Sequence, residues 1–146
     1  MNKLIVIVAI IGFCTAANIK CTEKQKQSKI CTMEYMPVCG VKIDPENQYS
    51  QTFATYGNKC GACSEGVEFY AEGECESYNK KAIFCHPDDH LNVACTREFS
   101  PVCGLFDSSI NCFAAPCGQN YSNKCTACIN KEVTHFVKGS CEDLRV

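Results

Sequence analysis

The sequence has no tryptophan, no glycine-rich phosphate loop and no excess of positive charge. With 14 Lys and Arg against 16 Asp and Glu, the net charge is -2, which excludes the electrostatic footprint of a nucleic-acid or anionic-membrane binder. Its apolar run Leu4–Phe13 is ten residues long. A helix needs about 20 apolar residues to cross a bilayer, so this run is too short to span one. No Ser/His/Asp set stands out and no cysteine reads as a free nucleophile, so the chain is not read as an enzyme and no catalytic residue is assigned.

What is present begins with a secretion signal. Lys3 supplies a positive start, Leu4–Phe13 the apolar stretch, and Cys14-Thr15-Ala16-Ala17 the small residues of a cleavage site after Ala16 or Ala17. The alternatives are a retained anchor or a buried strand. Residues 1–17 are therefore expected to be a signal peptide, and the mature protein to be secreted into an oxidising, extracellular environment.

The chain has 15 cysteines in 146 residues. Cys14 leaves with the signal peptide, and an even number remains. In a short secreted chain this reads as a disulfide framework, whose pairing the spacing does not give. The cysteines also repeat. Cys21, Cys31 and Cys39 recur 64 residues later as Cys85, Cys95 and Cys103, and Cys60, Cys63 and Cys75 recur as Cys125, Cys128 and Cys141. CTMEYMPVCG at 31–40 matches CTREFSPVCG at 95–104 in seven of ten positions. Cys112 and Cys117 are extra and belong to the second copy. The chain is read as two copies of one module, 18–76 and 85–146, joined by a linker at 77–84. The stretch from Glu76 to Phe84 spans roughly 30 Å when extended, long enough for the modules to act independently.

A module of this size buries too little apolar surface to be stable with ease. Three crosslinks per module would each remove about 3–4 kcal/mol of unfolded-state freedom. Short helices are expected over Asn58–Glu65 and Asn123–Lys131, and strands over Val67–Ala71 and Val133–Lys138, closed by Gly73 and Gly139. Val38-Cys39-Gly40 and Val102-Cys103-Gly104 are plausible partner strands. The fold class is small, disulfide-rich α+β, each module a short helix on a small antiparallel sheet. Thr22–Lys29 reads as a solvated loop.

The pattern of a cysteine, seven residues, a cysteine, then Tyr-Xaa-Asn-Lys-Cys-Xaa-Xaa-Cys and a final cysteine resembles the Kazal-type serine-protease inhibitors across nearly all of the mature chain. The first module supplies Cys31, Cys39, Tyr56, Asn58, Lys59, Cys60, Cys63 and Cys75. The second supplies Cys95, Cys103, Tyr121, Asn123, Lys124, Cys125, Cys128 and Cys141. The resemblance implies the pairs Cys21–Cys63, Cys31–Cys60 and Cys39–Cys75, and Cys85–Cys128, Cys95–Cys125 and Cys103–Cys141. Cys112 and Cys117 are left to close a small local loop. It also implies cleavage positions at Met33–Glu34 and Arg97–Glu98. Thr32, Tyr35, Thr96 and Phe99 would then be loop contacts, and Asn58 and Asn123 spacers that bond the loop backbone from beneath.

By this resemblance the expected partners are serine proteases. Arg97 would suit a trypsin-like pocket and Met33 a chymotrypsin-, elastase- or subtilisin-like one. The chain is expected to be a monomer with no cofactor, no metal and no nucleic-acid or membrane partner. The alternative function is an extracellular protein-binding module of the follistatin-like kind, which blocks no protease; a third is a defence or toxin-like scaffold. The spacing between third and fourth cysteines departs from the family's. It is 20 residues in one module and 21 in the other, about twice the usual. The inserts, roughly Val41–Phe53 and Leu105–Gln119, read as surface loops.

Cys60-Gly-Ala-Cys63 and Cys125-Thr-Ala-Cys128 have zinc or redox spacing, but a secreted repeat favours disulfides. His86, Asp88, Asp89 and His90 read as a solvated loop rather than a metal site, and His135 as structural. Asn120-Tyr121-Ser122 is a glycosylation sequon crowded by its neighbours.

Overall fold

A computed structural model describes residues 18–47, 50–91, 94–107 and 109–145; the expected signal peptide lies outside them. Two four-stranded antiparallel sheets are formed. The first comprises β1 (Ile19–Lys20), β2 (Val38–Ile43), β3 (Gln51–Tyr56) and β4 (Phe69–Glu72), in the order β1-β4-β2-β3. The second comprises β5 (Ile83–Phe84), β6 (Val102–Phe106), β7 (Gly118–Tyr121) and β8 (Val133–Lys138), in the order β5-β8-β6-β7. The two orders correspond strand for strand. This is a disulfide-rich α+β fold in two modules.

Each sheet carries one short helix. In the first module α1 (Glu23–Lys26) precedes α2 (Lys59–Ser64); the second has α3 (Lys124–Cys128). Asn58 and Asn123 are the N-caps of α2 and α3, accepting from the amides of Gly61 and Thr126 at 2.9 Å in each case. An Asn here satisfies an amide the helix itself leaves unbonded. Neither helix is long enough to be stable alone. Both are crosslinked through their two cysteines, and their inner faces (Ala62 and Cys63, Ala127 and Cys128) are buried. After α2, Gly66 takes φ +79°, a left-handed turn that costs a glycine little, and the chain enters β4.

The fourteen described cysteines form seven disulfides: Cys21–Cys63, Cys31–Cys60, Cys39–Cys75, Cys85–Cys128, Cys95–Cys125, Cys103–Cys141 and Cys112–Cys117. Cys39 and Cys103 are fully buried in the central strands β2 and β6. Around them lie Val41, Phe69 and Ala71 in one module and Leu105 and Val137 in the other.

Three features differ from expectation. Thr22–Lys29 is not a plain loop, because Glu23–Lys26 closes one helical turn. Thr22 and Gln25 form a reciprocal capping box, and Lys26 reaches Glu68 at 3.3 Å. The inserts are not simple loops either. The first extends β2 and β3 into a six-pair ladder from Val38↔Tyr56 to Ile43↔Gln51, and fully buries Val41. The second pairs β6 with β7 from Val102↔Tyr121 to Leu105↔Gly118. The backbone groups of a buried segment need partners, and a hairpin supplies them internally. Lastly, the chain between Cys75 and Cys85 is not a free tether. Cys75–Ser77 forms a 3₁₀ turn, Ala82 is buried, and Ile83–Phe84 is an edge strand of the second sheet.

Candidate functional site

The segments from Thr32 to Pro37 and from Thr96 to Pro101 belong to no helix or strand. Each is tied down on both sides. Cys31 is bonded to Cys60 in α2 and Cys39 to Cys75, so the first segment runs between two crosslinks. Cys95–Cys125 and Cys103–Cys141 do the same for the second. The exits are held by backbone bonds, since the Gly73 amide donates to the Pro37 carbonyl at 3.0 Å and the Gly139 amide to that of Pro101 at 3.0 Å. Both glycines have positive φ, +87° and +99°. That left-handed conformation turns the amide back toward the loop and suits glycine.

Between these anchors, one side chain supports each loop. The Asn58 Nδ2 donates to the carbonyls of Thr32 and Glu34, both at 3.0 Å. The Asn123 Nδ2 donates to those of Thr96 at 3.0 Å and Glu98 at 2.9 Å. The amide oxygen of each Asn is already committed to capping its helix, and this orients the NH₂ toward the loop. A single asparagine thus couples helix start to loop backbone. Asn123 is buried at 5% exposure, where two bonded carbonyls and a capped amide satisfy it. In the second module the Thr126 hydroxyl closes the box by accepting from the Asn123 amide at 3.2 Å.

The residue between the two bonded carbonyls has no such support. Met33 is 100% exposed. Its counterpart Arg97 is exposed, as are Thr32, Glu34, Thr96 and Glu98. Tyr35 and Phe99 are exposed large aromatics. The Tyr35 hydroxyl donates to Glu74 at 2.7 Å, and this bond to a carboxylate raises the phenol's pKa above its ordinary value. Phe99 has no hydroxyl to repeat that contact. The Met36 amide bonds Gly57 at 2.8 Å, and the Ser100 amide bonds Ser122 at 2.9 Å. Sequence reasoning missed Glu74, Gly57 and Ser122, because contacts between residues 39, 21 and 22 positions apart leave no periodic signal.

Other residues singled out from the sequence lie elsewhere. The Cys60, Cys63, Cys125 and Cys128 sulfurs are all in disulfides, so the zinc-like spacing has no free thiolate. Among the described residues no group of three or more His, Cys, Asp or Glu is placed to hold a metal. His86, Asp88 and Asp89 form a turn in which Asp89 accepts from the His86 amide at 2.9 Å and Asp88 pairs with Lys20 at 2.7 Å. The Lys20 bond lowers the Asp88 pKa. His135 is buried in β8, which depresses its pKa to about 4 and keeps the ring neutral at pH 7. The Asn120 side chain is engaged, its Oδ1 accepting from the Cys141 amide at 2.7 Å and its Nδ2 donating to Glu142 at 3.0 Å. Cys112–Cys117 closes a ring on which Phe113 stands fully in solvent. No helix among the described residues is long and apolar enough to cross a membrane.

The arrangement is thus two crosslinked loops, each displaying exposed side chains, Met33 and Arg97 among them, above an asparagine. No family model matches the chain, and no solved structure matches it. The chain is 42% identical, over 67 residues, to the double-headed protease inhibitor of the submandibular gland of the dog, Canis lupus familiaris. The alignment covers 42% of this chain and 47% of that protein, so the match spans about half the length of the curated relative.

Proposed function

We propose that the chain is a secreted, monomeric, double-headed serine-protease inhibitor. Met33 and Arg97 are the residues that enter the proteases' specificity pockets, and Met33–Glu34 and Arg97–Glu98 the bonds presented for cleavage. The observation that carries this reading is the pair of hydrogen bonds that one asparagine side-chain NH₂ donates to the carbonyls on either side of the displayed residue. The named activity of the canine relative supports it.

A serine protease binds its substrate extended, and a free peptide loses backbone freedom on binding, about 1–2 kcal/mol per residue. A loop already held by two disulfides and an asparagine has lost that freedom on folding, so binding is correspondingly tighter. The same restraints act after attack on the scissile carbonyl. The new amine of Glu98 stays beside the acyl group, because Asn123 still holds both sides of the break, and religation competes with release. Arg97 offers a guanidinium to an acidic pocket, and Met33 a flexible apolar chain to an apolar one. Thr32, Tyr35, Thr96 and Phe99 add contacts at the rim.

Titration against a trypsin and a subtilisin tests the reading. The expected result is stoichiometric, slowly reversible inhibition of both. Arg97→Ala is expected to abolish inhibition of trypsin and spare that of subtilisin. Absence of inhibition by either head would overturn the proposal in favour of a non-inhibitory binding module.

A further inference from the structure

Phe84 occupies the place in the second module that Lys20 occupies in the first. Both are the second residue of a short edge strand, Lys20 paired with Phe69 and Phe84 with His135. Lys20 is exposed, whereas Phe84 is 2% exposed. The side chain that breaks the repeat is buried in the other module, in the core cluster of Cys39, Val41, Phe69 and Ala71.

The residues that grip it come from the first insert. Phe53 stands edge-on to the Phe84 ring at 5.4 Å, and Ile43 packs against the same cluster. Gln51 bonds the Phe84 backbone as a neighbouring strand would, its Oε1 accepting from the amide and its Nε2 donating to the carbonyl, both at 2.9 Å. Tyr78 stacks edge-on with Phe84 at 5.1 Å and with His135 at 5.0 Å. On the other flank the Asn18 Nδ2 donates to the carbonyls of Cys85 and Thr134 at 2.7 Å each. Ile43, Gln51 and Phe53, all in the first insert, supply the β2–β3 side of this joint.

We infer that the β2–β3 hairpin of the first module is a docking arm for the second, and that the resulting joint locks the modules into one body and withholds the Lys80-Lys81 pair from proteases. Lys80 and Lys81 are exposed in a turn between the modules, a dibasic sequence a trypsin-like enzyme would cut. Cleavage requires several extended residues on both sides of the bond. Here the Ala82 amide is bonded to Asn79 at 2.9 Å, the Lys81 amide to the Asn79 side chain at 2.8 Å, and Ala82 and Phe84 are buried. To be cut, the segment must peel away, and that means opening the joint. The inference does not depend on the chain being an inhibitor.

The test uses the full chain, as native protein, Gln51→Ala and Phe84→Arg. The arginine restores a cation at the Lys20-equivalent position and adds no lysine. A lysine-specific endopeptidase is applied, and mass spectrometry follows cleavage after Lys80 and Lys81 relative to cleavage after exposed Lys29, which lies outside the joint. The native ratio is expected to be well below one. It should rise about tenfold or more in Phe84→Arg, with an increased radius of gyration by small-angle scattering, and about three- to tenfold in Gln51→Ala, which removes only two hydrogen bonds. A native ratio near one, or a Phe84→Arg protein with all seven disulfides and an unchanged ratio and radius, would overturn it. Should Phe84→Arg fail to form those disulfides, an unchanged ratio in Gln51→Ala overturns it instead.

Discussion

Tyr56 lies across Gly40, so close that a Cβ on Gly40 would stand 2.7 Å from the tyrosine ring. Val67 closes the same space at 2.9 Å. The second module repeats the contact with Gly104 and Tyr121, at 2.6 Å. Neither glycine has positive φ; each is required by the ring that covers it. Gly40→Ala and Gly104→Ala are therefore each expected to destabilise by about 1–3 kcal/mol through overpacking. Denaturant unfolding of the two variants checks this, with native-like midpoints as the contrary result.

Asn123 has two tasks that chemistry can separate. Asn123→Asp keeps an oxygen to cap α3 but loses both donors to Thr96 and Glu98. Two lost hydrogen bonds at about 0.5–1.5 kcal/mol each predict trypsin inhibition weakened roughly 10- to 100-fold. The Arg97–Glu98 bond should also be cut and released faster. Asn123→Ala should show the same loss with about 1 kcal/mol less stability, from the missing cap. Inhibition constants and melting curves of the two variants separate loop support from helix capping.

His135 makes stability depend on pH with a defined sign. Its folded pKa, about 4, is below the ordinary 6.5 because burial disfavours the imidazolium; Asp107 opposes this only in part. The unfolded chain therefore binds the proton more readily. The fold has its full His135 contribution above about pH 6.5 and loses it as pH falls toward about 4, by about 3 kcal/mol in all. His135→Phe places there the residue its first-module counterpart, Phe69, already has. Melting curves at pH 7 and pH 4 should show a smaller difference in His135→Phe than in the native chain.

The Cys112–Cys117 crosslink is expected to matter least of the seven. Its cysteines are 5 positions apart, against 36 for Cys39–Cys75. Loop entropy then predicts about 2 kcal/mol for the short ring and nearly 4 for the long one. A Cys112→Ser, Cys117→Ser double variant should fold and retain the trypsin inhibition proposed for the Arg97 loop. Loss of that inhibition would give the ring a direct role in the second loop.

Much of the fold is legible along the chain because it is locally encoded. Asn58 and Asn123 start helices by bonding amides three residues on, and Gly73 and Gly139 end strands by a conformation other residues avoid. The recurrence of cysteines 64 to 66 residues apart marks two modules by spacing alone. The inserts read as loops because they lengthen the expected spacing between third and fourth cysteines; their strand character comes from pairing with neighbours. Thr22–Lys29 reads as a loop because its charge hides the capping box between Thr22 and Gln25.

The sequence by itself determined the repeat, the positions of the two cysteine-bearing helices α2 and α3, and which residues lie between Cys31 and Cys39 and between Cys95 and Cys103. All of these depend on spacing and on bonds that span three or four residues. Tertiary structure decided which cysteines meet, what Asn58 and Asn123 bond besides their own helices, and that Phe84 leaves its own module for the core of the other. Those outcomes depend on which surfaces can exclude water together. That is a property of the packed chain, and no local spacing records it.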